Sequence, residues 1–158
     1  MTQVELHPEK AFGAFAPSGL PALVLRLCHR VPPGWPAART WNRLLRGLIK
    51  RPRRQWDVTV GGLKLRLRSS GNYSEKRQLF EPQFYDREEI DFLCALMVDG
   101  GCFLDIGGNI GLYSLHVGHR CPQADIVAVE PDERLWRRMQ FAAGVNGLRI
   151  RLATQALS

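Results

Sequence analysis

FLDIGGNIG, residues 103–111, decides how the rest of the sequence is read. Phe103, Leu104 and Ile106 make a short apolar strand with Asp105 near its tip, and a glycine-rich turn follows. Gly107, Gly108 and Gly111 lack a Cβ where the chain has to turn and where a ligand would approach the backbone. Asn109 is suited to cap a helix starting near Ile110, its side-chain oxygen accepting an otherwise unpaired amide. Strand, glycine turn and helix N-terminus, in that order, form a platform that nucleotide-like cofactors use.

The spacing argues against a dinucleotide. A G-x-G-x-x-G turn counted from Gly107 would need glycine where Asn109 and Leu112 stand. Asp105 at the strand tip would also repel a pyrophosphate and favour a cation. S-adenosylmethionine, with its sulfonium and ammonium groups, suits such a carboxylate. The next apolar strand, IVAVE at 126–130, ends in Glu130. That acid lies about twenty residues downstream, where a carboxylate can accept hydrogen bonds from ribose hydroxyls. Taken singly, these features read as a capped turn and a surface acid. Together, in this order and spacing, they point to a cofactor site.

Residues 103–147 resemble the FkbM-type methyltransferases, a class I S-adenosylmethionine-dependent family. The likeness rests on D-x-G-x-N-x-G (Asp105, Gly107, Asn109, Gly111), the E-P pair Glu130–Pro131 and the N-G pair Asn146–Gly147. It is looser over 57–102, and Gly108 stands where the family more often has Ala. The resemblance implies an α/β fold with a Rossmann-like parallel sheet, truncated after its third strand and preceded by helices and a β-hairpin. It implies S-adenosylmethionine as cofactor and methyl transfer to a hydroxyl of a sugar or secondary metabolite. Asp105 would hold the methionine end, Gly107 and Gly108 would admit the sulfonium portion, and Glu130 would bind the ribose. Asn109 and Gly111 belong to the same cofactor-binding turn. The family continues beyond residue 158, so the chain is read as the N-terminal part of such an enzyme, inactive alone. No general base can be named. His116 and Tyr113 are the nearby candidates, and both are expected to point into helix packing.

A chain of 158 residues with 45% apolar content can build a real core. The expected division is a basic N-terminal region, 1–55, and a methyltransferase-like part, 56–158. The latter comprises a hairpin and pre-helix (56–101) and a βαβαβ segment (102–158). Charge is asymmetric: residues 1–68 carry 13 Lys/Arg against 3 Asp/Glu, and residues 69–158 carry 9 against 12. Residues 1–19, broken by Pro8, Gly13, Pro17 and Gly19, read as loosely ordered. A short helix follows from Leu20 with Pro21 at its first position, too interrupted to span a membrane. Glu5 and Glu9 precede its apolar part, unlike a signal peptide, and a cytoplasmic location is expected.

VPPGWP, 31–36, reads as a stiff linker. Residues 37–49 read as a basic amphipathic helix, with Trp41, Leu44, Leu45, Leu48 and Ile49 near one face and arginines mostly on the other. Through 37–54 such a helix could touch an anionic membrane, or it could dock its apolar face on a neighbouring domain. KRPRR, 50–54, has no interleaved aromatics and no recognisable module, which argues against nucleic acid.

Residues 58–69 alternate as a hairpin about Gly61–Gly62, and 70–82 read as a loop. A helix over 86–98 has Asp86 as cap, Glu89 three residues on, and a buried stripe of Ile90, Phe92, Leu93, Leu96 and Met97. By family analogy, residues 80–98 would help close the cofactor pocket. Helix 110–118, strand 126–130, helix 133–143 (capped by Asp132, stopped by Gly144) and strand 148–154 complete a parallel βαβαβ unit. Its strand order should be third, second, first. The first strand is then an exposed edge through which the chain could self-associate. Cys28, Cys94, Cys102 and Cys121 read as reduced, buried thiols. His116, His119 and Cys121 match no zinc spacing, so no metal is expected. Two alternatives stay open: a non-catalytic cofactor-fold half-domain completed by a partner, and a basic membrane-surface protein.

Overall fold

The computed structural model describes residues 10–32, 34–49, 55–70 and 72–154. The basic run 50–54 and Pro33 of the linker lie outside them. The chain divides into two compact units, Phe12–Arg87 and a second from Glu88 onward.

The first unit holds α1 (Gly19–His29), α2 (Ala38–Ile49), β1 (Gln55–Val60), β2 (Leu63–Arg68) and α3 (Tyr73–Phe80). β1 and β2 form the expected antiparallel hairpin, in register from Val60↔Leu63 to Gln55↔Arg68. Gly61 and Gly62 both take positive φ, +55° and +85°, the mirror-image turn whose twist matches the strands. One face presents Trp56, Val58, Leu63, Leu65 and Leu67, all buried. On the other, Asp57 lies directly opposite Arg66, and both are buried as an ion pair with Nε to Oδ1 at 2.7 Å and Nη2 to Oδ2 at 3.0 Å. Asp57 also accepts the amides of Gly13 (2.8 Å) and Phe15 (3.1 Å), and Arg66 lies over the Phe15 ring at 4.8 Å. Residues 13–16, expected to be loose, thus form a turn strapped to the hairpin, because its two buried charges need that cover.

Two further expectations change here. The supposed loop over 70–82 contains α3, opened by Asn72, whose side chain accepts the Glu75 amide at 2.8 Å. In α2 the buried face is Ala38, Asn42, Leu45 and Ile49, while Trp41, Leu44 and Leu48 are exposed. Two apolar stripes compete on that helix, and packing buries the one containing Asn42.

The second unit contains α4 (Arg87–Leu96), β3 (Gly101–Ile106), α5 (Leu112–Arg120), β4 (Ala124–Val129), α6 (Glu133–Val145) and β5 (Ile150–Ala153). The strands form one parallel sheet in the order β3-β4-β5. This is an α/β, Rossmann-like βαβαβ arrangement, and β3 is its edge, as the sequence implies. Pleating turns Leu104 and Ile106 to one face, where they are 52% and 59% exposed. α4 buries Ile90 and Cys94 but exposes Phe92 and Leu96, which lie on the opposite side of the helix from them. Cys102, on the edge strand, is exposed; Cys28, Cys94 and Cys121 are buried.

α6 starts where expected, with Asp132 accepting the Arg134 amide at 2.9 Å. It runs past Gly144 and stops at Asn146–Gly147. Gly147 takes φ +65°, its amide bonds Gly144 O, and the Leu148 amide bonds Ala143 O at 2.9 Å. That pairing is a Schellman cap, which requires a left-handed residue and explains the glycine. No helix among the described residues is long and apolar enough to cross a membrane.

Candidate functional site

The site is built where β3 and β4 end. Gly107, Asn109 and Gly111 take positive φ of +75°, +54° and +78°, so the turn winds through three left-handed residues before α5 begins. The amides of Gly107 and Gly108 both donate to Val129 O, at 2.9 and 3.1 Å, tying the turn to the end of β4. Glu130 is buried, and its two oxygens divide their work. Oε2 accepts the Asn109 amide at 2.8 Å, and Oε1 accepts the Asp132 amide at 2.9 Å. One carboxylate therefore clasps the β3–α5 turn to the β4–α6 turn. Its own amide donates to Ala153 O of β5 at 3.0 Å.

Asn109 does not cap the helix. Its Oδ1 accepts the Ile110 amide at 2.8 Å, but the residue at the N-cap of α5 is Gly111, which has no side chain to offer. Gly111 is required for packing: a Cβ there would lie 2.3 Å from Met139 Cγ. At Gly108 a Cβ would lie 3.1 Å from Met139 Cε and 3.2 Å from Asp105 Oδ2. Only Gly107 has nothing within 4 Å in that direction, so of the three it alone presents open backbone. Asp105 is half-buried, and its Oδ2 accepts a 2.6 Å hydrogen bond from Ser114 Oγ.

The structure thus ties the turn to the end of β4 and to Glu130 by hydrogen bonds, while Asp105, on the adjacent strand, bonds Ser114 of α5. Sequence reading missed Ser114 and Met139. Ser114 is a fully buried polar residue in the apolar first turns of α5, which was a readable signal. Met139 had none, being some thirty residues away on α6.

His116 is held well below its ordinary range, at about 4, first by burial and then by the nearby positive charges of Arg120 and His119. It is neutral at neutral pH and a weak base. Cys121 Sγ donates to Cys94 O at 3.6 Å, and burial first, then the Cys121 thiol, pushes Cys94 up to about 11. No group of three or more His, Cys, Asp or Glu among the described residues is arranged to hold a metal ion.

No protein-family model matches the chain. A stretch of 68 residues is 34% identical to the AMB antimetabolite synthetase AmbE of Pseudomonas aeruginosa. It covers 43% of this chain and 3% of that much longer protein. Among solved structures, the chain is similar to a protein of Pyrococcus horikoshii described provisionally as a transferase, with 15% identity and a TM-score of 0.49, over 63% of this chain and 35% of that one. It is also similar to a SAM-dependent methyltransferase of Agrobacterium tumefaciens, with 16% identity and a TM-score of 0.46, over 63% of this chain and 32% of that one. The chain spans about a third of the length of these two structures. At such scores the fold rests on the strand order and register of the chain itself.

Proposed function

We propose that residues 101–154 carry the cofactor-binding part of an S-adenosylmethionine-dependent methyltransferase of the FkbM type, acting on a hydroxyl of a sugar or secondary metabolite. One observation carries the reading: Asp105 and Glu130 stand at the ends of adjacent parallel strands, joined by a turn whose Gly107 faces open space. The residues fit such a ligand. Each Glu130 oxygen spends one lone pair on an amide and retains another for a ribose hydroxyl. Asp105 retains Oδ1 beside the Ser114-bound Oδ2 for a cationic methionine end, and Gly107 lets a ligand reach the backbone.

When bound, the cofactor supplies an electrophilic methyl group. The contribution of this chain is to position it, and alignment can account for much of the acceleration in such a displacement. His116 is too weakly basic to take the acceptor's proton efficiently near neutrality. Calorimetric titration of the full chain with S-adenosylmethionine tests the reading. Saturable binding is expected. Glu130→Ala should weaken it by roughly 1–3 kcal/mol, and Gly107→Ala, which fills the open approach, should weaken it too. No binding, or unchanged affinity in both variants, would overturn it.

A second reading rests on α2, where Trp41, Leu44 and Leu48 are exposed beside Arg43. That stripe suits peripheral contact with an anionic membrane. Co-sedimentation with phosphatidylglycerol vesicles that is abolished by salt is the expected result, and absence of co-sedimentation at low salt refutes it.

A further inference from the structure

The first unit holds a cleft of about 760 Å³ lined by residues between 34 and 84, chiefly from α2 and α3. Four cations line it, Arg43, Arg46, Lys76 and Arg77, against one acid, Glu81. Arg77 is committed: it pairs with Asp86 at 3.2 Å, donates to Phe84 O and lies over the Tyr73 ring. Arg43, Arg46 and Lys76 pair with no carboxylate among the described residues. Trp35 and Tyr73, also in the lining, are 43% and 70% exposed.

Asn42 sets this cleft apart from an ordinary basic surface. It lines the cleft, is 1% exposed, and neither its amide oxygen nor its amide nitrogen has a hydrogen-bond partner. Its neighbours on the buried face of α2 are Ala38, Leu45 and Ile49, among which a leucine would pack without a dry polar group. Buried amides are normally satisfied, and an unsatisfied one weakens the fold. The residue therefore costs stability, and the cleft beside it is where a return for that cost would be found.

We propose that this cleft binds a small organic phosphate. Arg43, Arg46 and Lys76 supply the charge for a dianionic phosphoryl group, which arginine can grip bidentately. Trp35 and Tyr73 offer faces for a ring. Asn42 offers two N–H donors and a carbonyl acceptor to the neutral part of the ligand, once it parts the side chains that cover the amide. The same phosphoryl chemistry exists in a soluble metabolite and in a lipid headgroup.

The test is calorimetry on the full chain with AMP and glucose 6-phosphate, beside adenosine, glucose and inorganic phosphate. Short-chain phosphatidic acid, a phosphomonoester kept below its micelle concentration, forms the lipid arm, beside the matching diacylglycerol. One organic phosphate or the lipid should bind about tenfold or more tightly than its uncharged counterpart and than inorganic phosphate. Tightest binding of the lipid assigns the phosphate to a headgroup; tightest binding of a nucleotide or sugar phosphate assigns it to a metabolite. The Arg43→Gln/Arg46→Gln pair should weaken that binding about tenfold, with an unchanged circular dichroism spectrum. Asn42→Leu should weaken binding while raising the melting temperature of the free chain. No binding of any probe at millimolar concentration overturns the proposal. So does inorganic phosphate binding as tightly as every organic probe, or an Asn42→Leu chain that melts lower than the parent.

Discussion

Replacing Gly111 by alanine separates packing from ligand approach within the glycine turn. Two costs combine at this position. The backbone sits at φ +78°, where a non-glycine residue loses about 1–2 kcal/mol. The new Cβ would also fall 2.3 Å from Met139 Cγ and 2.9 Å from Sδ, on a side chain with no solvent exposure. Cγ is close to the α6 backbone, so rotating the tip of Met139 does not relieve the clash. Overpacking of this kind costs about 1–3 kcal/mol, giving roughly 2–5 kcal/mol altogether. Gly107 has a similar φ of +75° but no neighbour within 4 Å, so Gly107→Ala should cost only about 1–2 kcal/mol. Amide hydrogen exchange of the β4 segment, read by mass spectrometry, reports the local stability of this unit in both variants. Met139→Ala added to Gly111→Ala should cost less than Met139→Ala alone, with a coupling of about 1 kcal/mol or more. Equal protection in the Gly107 and Gly111 variants, or strict additivity with Met139→Ala, would refute the steric argument.

Acid should weaken the second unit through His116. Its folded value of about 4 lies below an unfolded value of about 6.5. The unfolded chain therefore takes the proton first, and stability falls between those two pH values and levels off below them; His116→Phe should flatten the fall in thermal melts. Burial would raise the carboxyl of Asp57, but Arg66 and the amides of Phe15 and Gly13 outweigh it and hold it below its ordinary value. Its contribution is present above about pH 4 and is lost as pH falls through the lower folded value. Arg66→Leu strands that carboxylate and should cost about 3–5 kcal/mol in urea unfolding, whereas Asp57→Asn combined with Arg66→Leu should recover part of it. If the β3 edge mediates self-association, Leu104→Lys should lower the sedimentation-derived mass at high concentration. An unchanged mass from an associating parent would clear that edge of the role.

The order of elements was legible because it depends on near neighbours. Gly61–Gly62 fixes a hairpin, Asp132 caps α6 across two residues, and strands joined by helices have to run parallel. Local pattern could not choose between competing partners. Trp41, Leu44 and Leu48 look as buriable as Leu45 and Ile49, and only packing against the rest of the unit reveals that Asn42 lies inside and Leu44 outside. Phe92 and Leu96 misled for the same reason on α4. In the turn, the acids and glycines were readable, but the division of labour was not. The clasp made by Glu130 and the contact of Gly111 with Met139 are long-range facts. Asn72 with Glu75 was a readable helix start that the surrounding serines and glycine obscured.

The strap of residues 13–16 has a consequence for how the chain is made. Its anchor, Asp57, lies 42 and 44 residues downstream of the two amides it holds, and the arginine that neutralises Asp57 comes nine residues later still. Synthesis releases the strap, α1 and α2 before any of those charges exist. The hairpin, by contrast, closes on adjacent residues and can form within microseconds of emerging. The earliest-made part of this unit is thus among the last to find its place, although α1 and α2 can pack on each other before it does. A nascent chain whose emerged part stops short of Asp57 should leave residues 13–16 open to limited proteolysis, and one whose emerged part includes Arg68 should protect them.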